Sequence, residues 1–365
     1  MSIDGDPGSR VSGRTVSGVL TLVVGLAALT IVLGGVHAVS GLVGPVFLAL
    51  VLTVTVHPIR RRLERTRLPE WAVSLVMLLS AYLLIVLITL ALIVSVAQLA
   101  ALLPQYTADI TSTIDDALSA LGKLGVDQEQ IDQVVSAMDP SRLVDLVGSL
   151  LAGTLGALTD VFFLFTVLLF MAFDTNGARE NLRILGSRFG DLVEALAHFA
   201  RGTRTYMAVA AIFGLIVAVI DGAALYAIGV PGAFVWAVLA FVTNFIPNVG
   251  FVIGLVPPAV IALLEDGPGL MLAVIAIYCV VNFVIQSIIQ PRIVGESVGL
   301  SPTLTFLSLV FWAWLLGPVG ALLAVPLSLL MKALLVEADP RLSWALPLIS
   351  GHPSPRDDGE HEPRG

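Results

Sequence analysis

One cysteine, Cys279, stands among the 365 residues, so no internal disulfide can form and the chain carries no redox signature. Charge is nearly as scarce. Asp, Glu, Lys and Arg make up 13% of the sequence, where a soluble domain carries about a quarter. No cluster of Lys and Arg interleaved with aromatics occurs, and the net charge of -8 disfavours a nucleic-acid partner. Enzyme signatures are missing too: there is no HExxH, no Gly-rich phosphate loop with its lysine and no GxSxG. None of the five histidines shares a short metal-ligand spacing with Cys279 or with a second His. The sequence therefore implies no catalytic residues, no metal and no cofactor.

What fills the chain is apolar. Hydrophobic residues reach 57%, with a mean hydropathy of +0.96. Runs without Asp, Glu, Lys or Arg cover Thr15–Ile59, Trp71–Ala100, Gly267–Pro291 and Ser297–Met331. Each is at or above the ~20 residues needed to cross ~30 Å of hydrocarbon. This is the composition of an all-α polytopic membrane protein. We expect about eight transmembrane helices, some broken or re-entrant, with an extracytoplasmic helical insert.

Arg10 and Arg14 precede an apolar run that ends in "VHA", which imitates a signal peptide, but its 21 residues exceed a typical h-region. It reads as a retained anchor. Residues 1–14 and 350–365, rich in Gly, Pro, Ser and charge, are expected to be disordered and to flank a membrane domain of 15–349. "HPIRRRLERTRLPE" holds five arginines, which by the positive-inside rule places this loop and the N-terminus in the cytoplasm of a multi-pass plasma-membrane protein.

Residues 103–148 carry eight acids against two bases, with apolar residues at helical spacing, and are expected outside as short amphipathic helices. Within them, Asp139-Pro140 looks like a helix start. Residues 174–205, with five arginines, read as a cytoplasmic amphipathic segment. Residues 234–264 and 303–336 each fit one long span or a hairpin. Charge favours the hairpin for the first. "GPVFLAL" (44–50) faintly echoes "GPVGALL" (317–323).

The segment "NFIPNVGFVIGLVPP" (244–258) interrupts an apolar run with two asparagines, two glycines and three prolines. Proline lacks an N–H, so Pro247, Pro257 and Pro258 would free the carbonyls of Thr243, Ile253 and Gly254. Hydrocarbon cannot satisfy such groups, and broken helices of this kind line cavities in transporters. Asn244 and Asn248 add amides one turn apart, while Gly250 and Gly254 allow close packing. The expectation is a hinge whose backbone carbonyls face a pathway; the alternative is a kinked helix bonded to its neighbours.

On the following run Tyr278, Asn282, Gln286 and Gln290 recur every fourth residue and form one polar stripe. It either lines a hydrated path, joined by Arg292, or locks the bundle by interhelical hydrogen bonds. Asp160 and Asp221 are the acids placed deepest in spans, where a carboxylate is costly, and should face the interior. Both are candidates for ion coupling by protons, sodium or lithium.

"GVPGAFVWAVLAFVTNFIPNVGFVIGLVPPAV" (229–260), "VIQSIIQPRIVGESVGLSPTLTFLSL" (284–309) and "LLGPVGALLAVPLSLLMK" (315–332), in that order, resemble the autoinducer-2 exporter family of bacterial inner-membrane proteins. The family motif falls on Phe245, Ile246, Pro247, Gly250 and Pro257, and a second on Gln290, Pro291, Arg292, Gly295 and Ser301-Pro302. The resemblance implies about eight membrane helices and export of small molecules, with the quorum-sensing signal autoinducer-2 as the named substrate. It also implies a sodium or lithium/proton antiport activity in some relatives. Asp221 lies outside the family pattern. Three functions follow as expectations: an ion-driven exporter of a small polar solute, a monovalent cation/proton antiporter, and a non-transporting scaffold. The partners expected are the lipid bilayer, the solute and a coupling ion, and the chain could form a homo-oligomer.

Overall fold

The computed structural model describes residues 18–63, 69–123, 159–171, 184–247, 249–290 and 300–339, with isolated positions at 153, 156, 181 and 292. Every regular element among these residues is helical, as long apolar runs must be where no water can satisfy the backbone. In chain order they are α1 (Gly18–Ala38), α2 (Ser40–Leu63), α3 (Glu70–Lys123), α4 (Thr159–Met171), α5 (Gly190–Ala227), α6 (Ala233–Thr243), α7 (Gly250–Asn282), α8 (Pro302–Leu322) and α9 (Ala324–Lys332). After α7 the helix widens to π geometry over Phe283–Ile289, and after α9 over Ala333–Glu337.

Counted by length and composition, four helices among the described residues are able to cross a membrane, and α1 with α2 forms a fifth candidate bent by 82°. That count takes α7 and its π continuation as one rod, which the packing does not allow. Gly254 and Gln286 line the same small cavity, whereas a straight helix would hold them about 48 Å apart. The chain doubles back at Asp266 (φ -140°, ψ 21°) and Gly267 (φ 76°, ψ -165°), dividing α7 into α7a (250–265) and α7b (268–282).

A second reversal has the same chemistry. Gly317 (φ 68°, ψ -150°) breaks α8, and the indole N–H of Trp312 reaches the hydroxyl of Ser328 at 3.0 Å across it. Both glycines hold a backbone region essentially closed to other residues, and both precede a proline that cannot donate to the preceding turn. The hairpin left open for 303–336 therefore turns at Gly317. Pro326 is accommodated in the first turn of α9, where its missing N–H has no partner to lose.

Residues 234–264 form the expected hairpin. A Cβ on Gly250 would collide with the carbonyl oxygen of Thr243, and one on Gly254 would lie 3.7 Å from the Cα of Ala240. As α7a advances, its partner on α6 recedes, so the two run antiparallel. The first helix of the cytoplasmic amphipathic expectation is not separate: residues 190–205 are the opening turns of α5. They bury Ala195 and Phe199 against Val325 and Leu329 of α9 and Ala333 just after it.

α3, at 54 residues, is longer than ~30 Å of hydrocarbon requires, and residues 103–123 of the acidic insert are its continuation instead of a separate short helix. Asp139-Pro140 and the rest of the insert lie outside the described residues. The two GPV segments do not share a backbone form, since Gly44 is helical within α2 and Gly317 is not. They meet instead: a Cβ on Gly44 would touch Val319 at 3.5 Å, inside a core that also holds Val51, Leu315 and Leu323.

Candidate functional site

The site is assembled on α5. Ala210, Gly214, Ala218 and Gly222 recur every fourth residue, giving a face of small side chains on which helices in membranes approach closely. A Cβ on Gly222 would sit 2.7 Å from the Cβ of Ala237 on α6, and one on Gly214 would sit 2.8 Å from the Nδ2 of Asn244. The stripe of small residues therefore makes room for both α6 and the break that follows it. The Asn244 amide donates to the Ala210 carbonyl at 2.9 Å, and the Tyr206 hydroxyl donates to the Phe245 carbonyl at 2.8 Å.

At Thr243 the expectation of a free carbonyl is corrected by the hydrogen bonds of the turn itself. Thr243 O accepts from the Ile246 amide at 2.9 Å, Ile246 O from Gly250 at 3.1 Å, and Pro247 O from Val249 at 2.7 Å. With Phe245 O also held by Tyr206, the turn has consumed the acceptor that Pro247 releases. What the break delivers is a side chain. Asn244 is turned toward the π turn after α7b, where Gln286 donates to its Oδ1 at 3.2 Å and to Asn282 Oδ1 at 2.8 Å. Asn282 in turn donates to the Tyr278 carbonyl at 2.9 Å. The broken helix and the polar stripe, 42 residues apart at Asn244 and Gln286, are thus one network.

Beside this network lies a cavity of about 10 Å³, room for one water-sized body, lined by Asp221, Thr243, Asn244, Tyr278, Asn282 and Gln286 together with apolar neighbours. Asp221 is fully buried and Tyr278 is 1% exposed. On the other side of Asn282 and Gln286 an open cleft of about 610 Å³ is bounded by Phe251, Cys279, Phe283 and Ser287. The two amides stand between cleft and cavity, at the point where the helix takes π geometry, a local widening frequent at functional sites.

The remaining candidates fall around this centre. Gly250 and Gly254 seat α7a on α6, and Pro258 is buried while Pro257 is partly buried in α7a. Gln290 is partly buried one turn beyond the network, and Arg292 is exposed. Asn248 lies outside the described residues. Asp160 does not face the interior: it is exposed on α4 and lines neither the cavity nor the cleft. Asp160 is the second residue of α4, at the end of that short apolar helix.

Reading by residue type missed Tyr206, Ala210, Gly214 and Thr243. The four-residue period of Ala and Gly on α5 was the available signal for two of them. Tyr206 and Thr243 act through a hydroxyl next to the break, and nothing in a single sequence marks them.

A model of the family described as AI-2E family transporter matches residues 26–338, from α1 to the end of the π turn after α9. The chain belongs to the AI-2E family of transporters. Among relatives of this AI-2E transporter, the AI-2 transport protein TqsA of Escherichia coli (strain K12) is 33% identical over 87% of this chain and 92% of its own length. A protein named Putative transport protein YhhT from the same strain is 31% identical over 91% of this chain and 95% of its own. Putative transport protein MT0215 of Mycobacterium tuberculosis is 31% identical over 82% of this chain and 84% of its own. Family membership together with the apolar helices makes this AI-2E chain a multi-pass membrane transporter.

Proposed function

We propose that this transporter exports a small, uncharged polar solute, with autoinducer-2 the first candidate, across a bacterial plasma membrane in which its N-terminus is cytoplasmic. The name of the relative TqsA supports the substrate class. The network of Gln286, Asn244 and Asn282 at the border of the open cleft carries the mechanism. Its groups are amides, neutral at any working pH, which exchange hydrogen bonds with hydroxyls and carbonyls of a solute without the desolvation cost of a charge. Because Gln286 bonds to both α7b and the α6–α7a break, a solute that takes its place releases one hairpin from the other. No nucleotide-binding motif occurs in the sequence, so the energy for uphill export comes from an ion gradient.

Flux of labelled autoinducer-2 in proteoliposomes tests this. Wild type is expected to carry the solute, and Gln286→Leu to lose at least about tenfold of the rate. Absence of flux in wild type removes autoinducer-2 as the solute; full flux in Gln286→Leu removes the amide path. A monovalent cation/proton antiporter is the second reading, favoured by the fully buried Asp221. It requires sodium- or lithium-driven proton movement that disappears in Asp221→Asn.

A further inference from the structure

The carboxylate of Asp221 and the hydroxyl of Tyr278 are buried with no hydrogen-bond partner among the described residues. A polar group in that position is costly, and a carboxylate more so, unless something else supplies the missing contact. Both line the cavity of about 10 Å³, and no residue that lines it is basic. The other side chains at its wall that carry oxygen are Thr243, with a hydroxyl, and Asn244, Asn282 and Gln286, with amide carbonyls. Each of the two asparagine carbonyls accepts one bond from Gln286 and retains a second lone pair.

We propose that Asp221, Tyr278 and the amide oxygens of Asn244 and Asn282 bind one small monovalent cation without its water shell, with Gln286 closing the site from the cleft. The donor set is all oxygen, which suits a hard alkali cation. A single carboxylate balances one positive charge. A divalent ion would leave a net charge buried, and among the described residues no group of three or more His, Cys, Asp or Glu gathers to balance it. The volume admits one body the size of a water, so a hydrated ion does not fit. Protonation of Asp221 would cancel the charge but would leave the new O–H and the Tyr278 hydroxyl still without partners. The same Gln286 that borders the cleft touches two of the proposed ligands, so release of the cation and opening toward the cleft are mechanically linked. In its purpose the site rests on the transport reading above, which it deepens by naming the ion class.

The test uses the purified full chain in detergent, with no solute present, in sodium, lithium, potassium or choline chloride at equal ionic strength. Two quantities are read: the melting temperature and saturable binding of ²²Na⁺ by scintillation proximity. The expected result is a saturable upward shift in melting temperature with sodium relative to choline. Specific ²²Na⁺ binding should be lost in Asp221→Asn, weakened about tenfold in Tyr278→Phe and unchanged in Asp191→Asn, an exposed acid elsewhere on α5. Equal melting in sodium and choline without saturable ²²Na⁺ binding would overturn the proposal and make the cavity a water site. Binding that survives Asp221→Asn would overturn it as well. If Asp221→Asn fails to fold, Tyr278→Phe, which keeps the ring and its volume, decides alone. Solute flux in proteoliposomes is a separate readout, so a failed cation site and a failed export reading give different results.

Discussion

The side-chain nitrogen of Gln286 lies 3.2 Å from Oδ1 of Asn244, on the far side of two helix reversals. With its second proton given to Asn282 at 2.8 Å, both donors of the Gln286 nitrogen are used. The bond joins the α6 break to the middle of the π-widened turn after α7b, two places where the helices depart from α geometry.

Removing either partner should therefore leave the other one hydrogen bond short in a partly buried place. Asn244→Leu and Gln286→Leu are each expected to insert normally and to lose solute flux by at least about tenfold. In the cycle Asn244→Ala, Gln286→Ala and the pair, melting in detergent should give a coupling energy of about 0.5–1.5 kcal/mol. Additive effects would show that the two side chains do not interact.

Gly250 has no space for a methyl group, because a Cβ there meets the Thr243 carbonyl that closes the turn. Gly250→Ala should cost about 1–3 kcal/mol of stability, since the hairpin must open to accommodate it. Gly269→Ala, where nothing lies within 4 Å, is the matched control and should stay within about 0.5 kcal/mol of wild type. Thermal unfolding of the two variants side by side reads the difference.

Tyr206 holds the Phe245 carbonyl from α5. Tyr206→Phe deletes only that bond and should destabilise by about 1–3 kcal/mol by leaving a partly buried acceptor unmet. Hydrogen–deuterium exchange should quicken in the turn 244–249 and stay unchanged in the hairpin of α8 and α9. Uniform acceleration across the chain would mean that the tyrosine supports the whole bundle instead of the break.

Asp221 offers the opposite sign. In choline chloride, where no small cation can serve it, Asp221→Leu should raise stability by about 1–3 kcal/mol, because an unmatched polar group leaves an apolar wall. A fall in melting temperature under those conditions would show that the carboxylate is satisfied within the protein.

Much of this was visible in the chain of letters. The long uncharged runs could only be helices, and the Asn-Pro-Gly density at 244–258 marked the break that now borders the cavity. The stripe at 278–290 was visible because a polar side chain every fourth residue in an apolar run has few explanations. Its partner was not, since the pairing of Gln286 with Asn244 depends on the reversal at Gly267, and a Gly-Pro pair in sequence fits a kink as well as a turn. The carbonyls freed by Pro247 were misread for a related reason. Proline withholds its own donor from the carbonyl four residues back, but whether another donor arrives is decided by the turn, and here Ile246 supplies it. Asp160 was placed inside by its depth in an apolar run alone, while its actual exposure depends on which side of α4 the neighbours occupy.

The contact between Gly44 and Val319 has a consequence in time. The two positions are about 275 residues apart in the chain, and at ~5–20 residues per second the second is made roughly 15–55 s after the first. Throughout that interval α1 and α2 sit in the membrane without the helices that will cover Val51 and its neighbours. The apolar surface of α1, with Leu22 63% and Ile31 75% exposed even in the finished bundle, lets lipid stand in for protein during the wait.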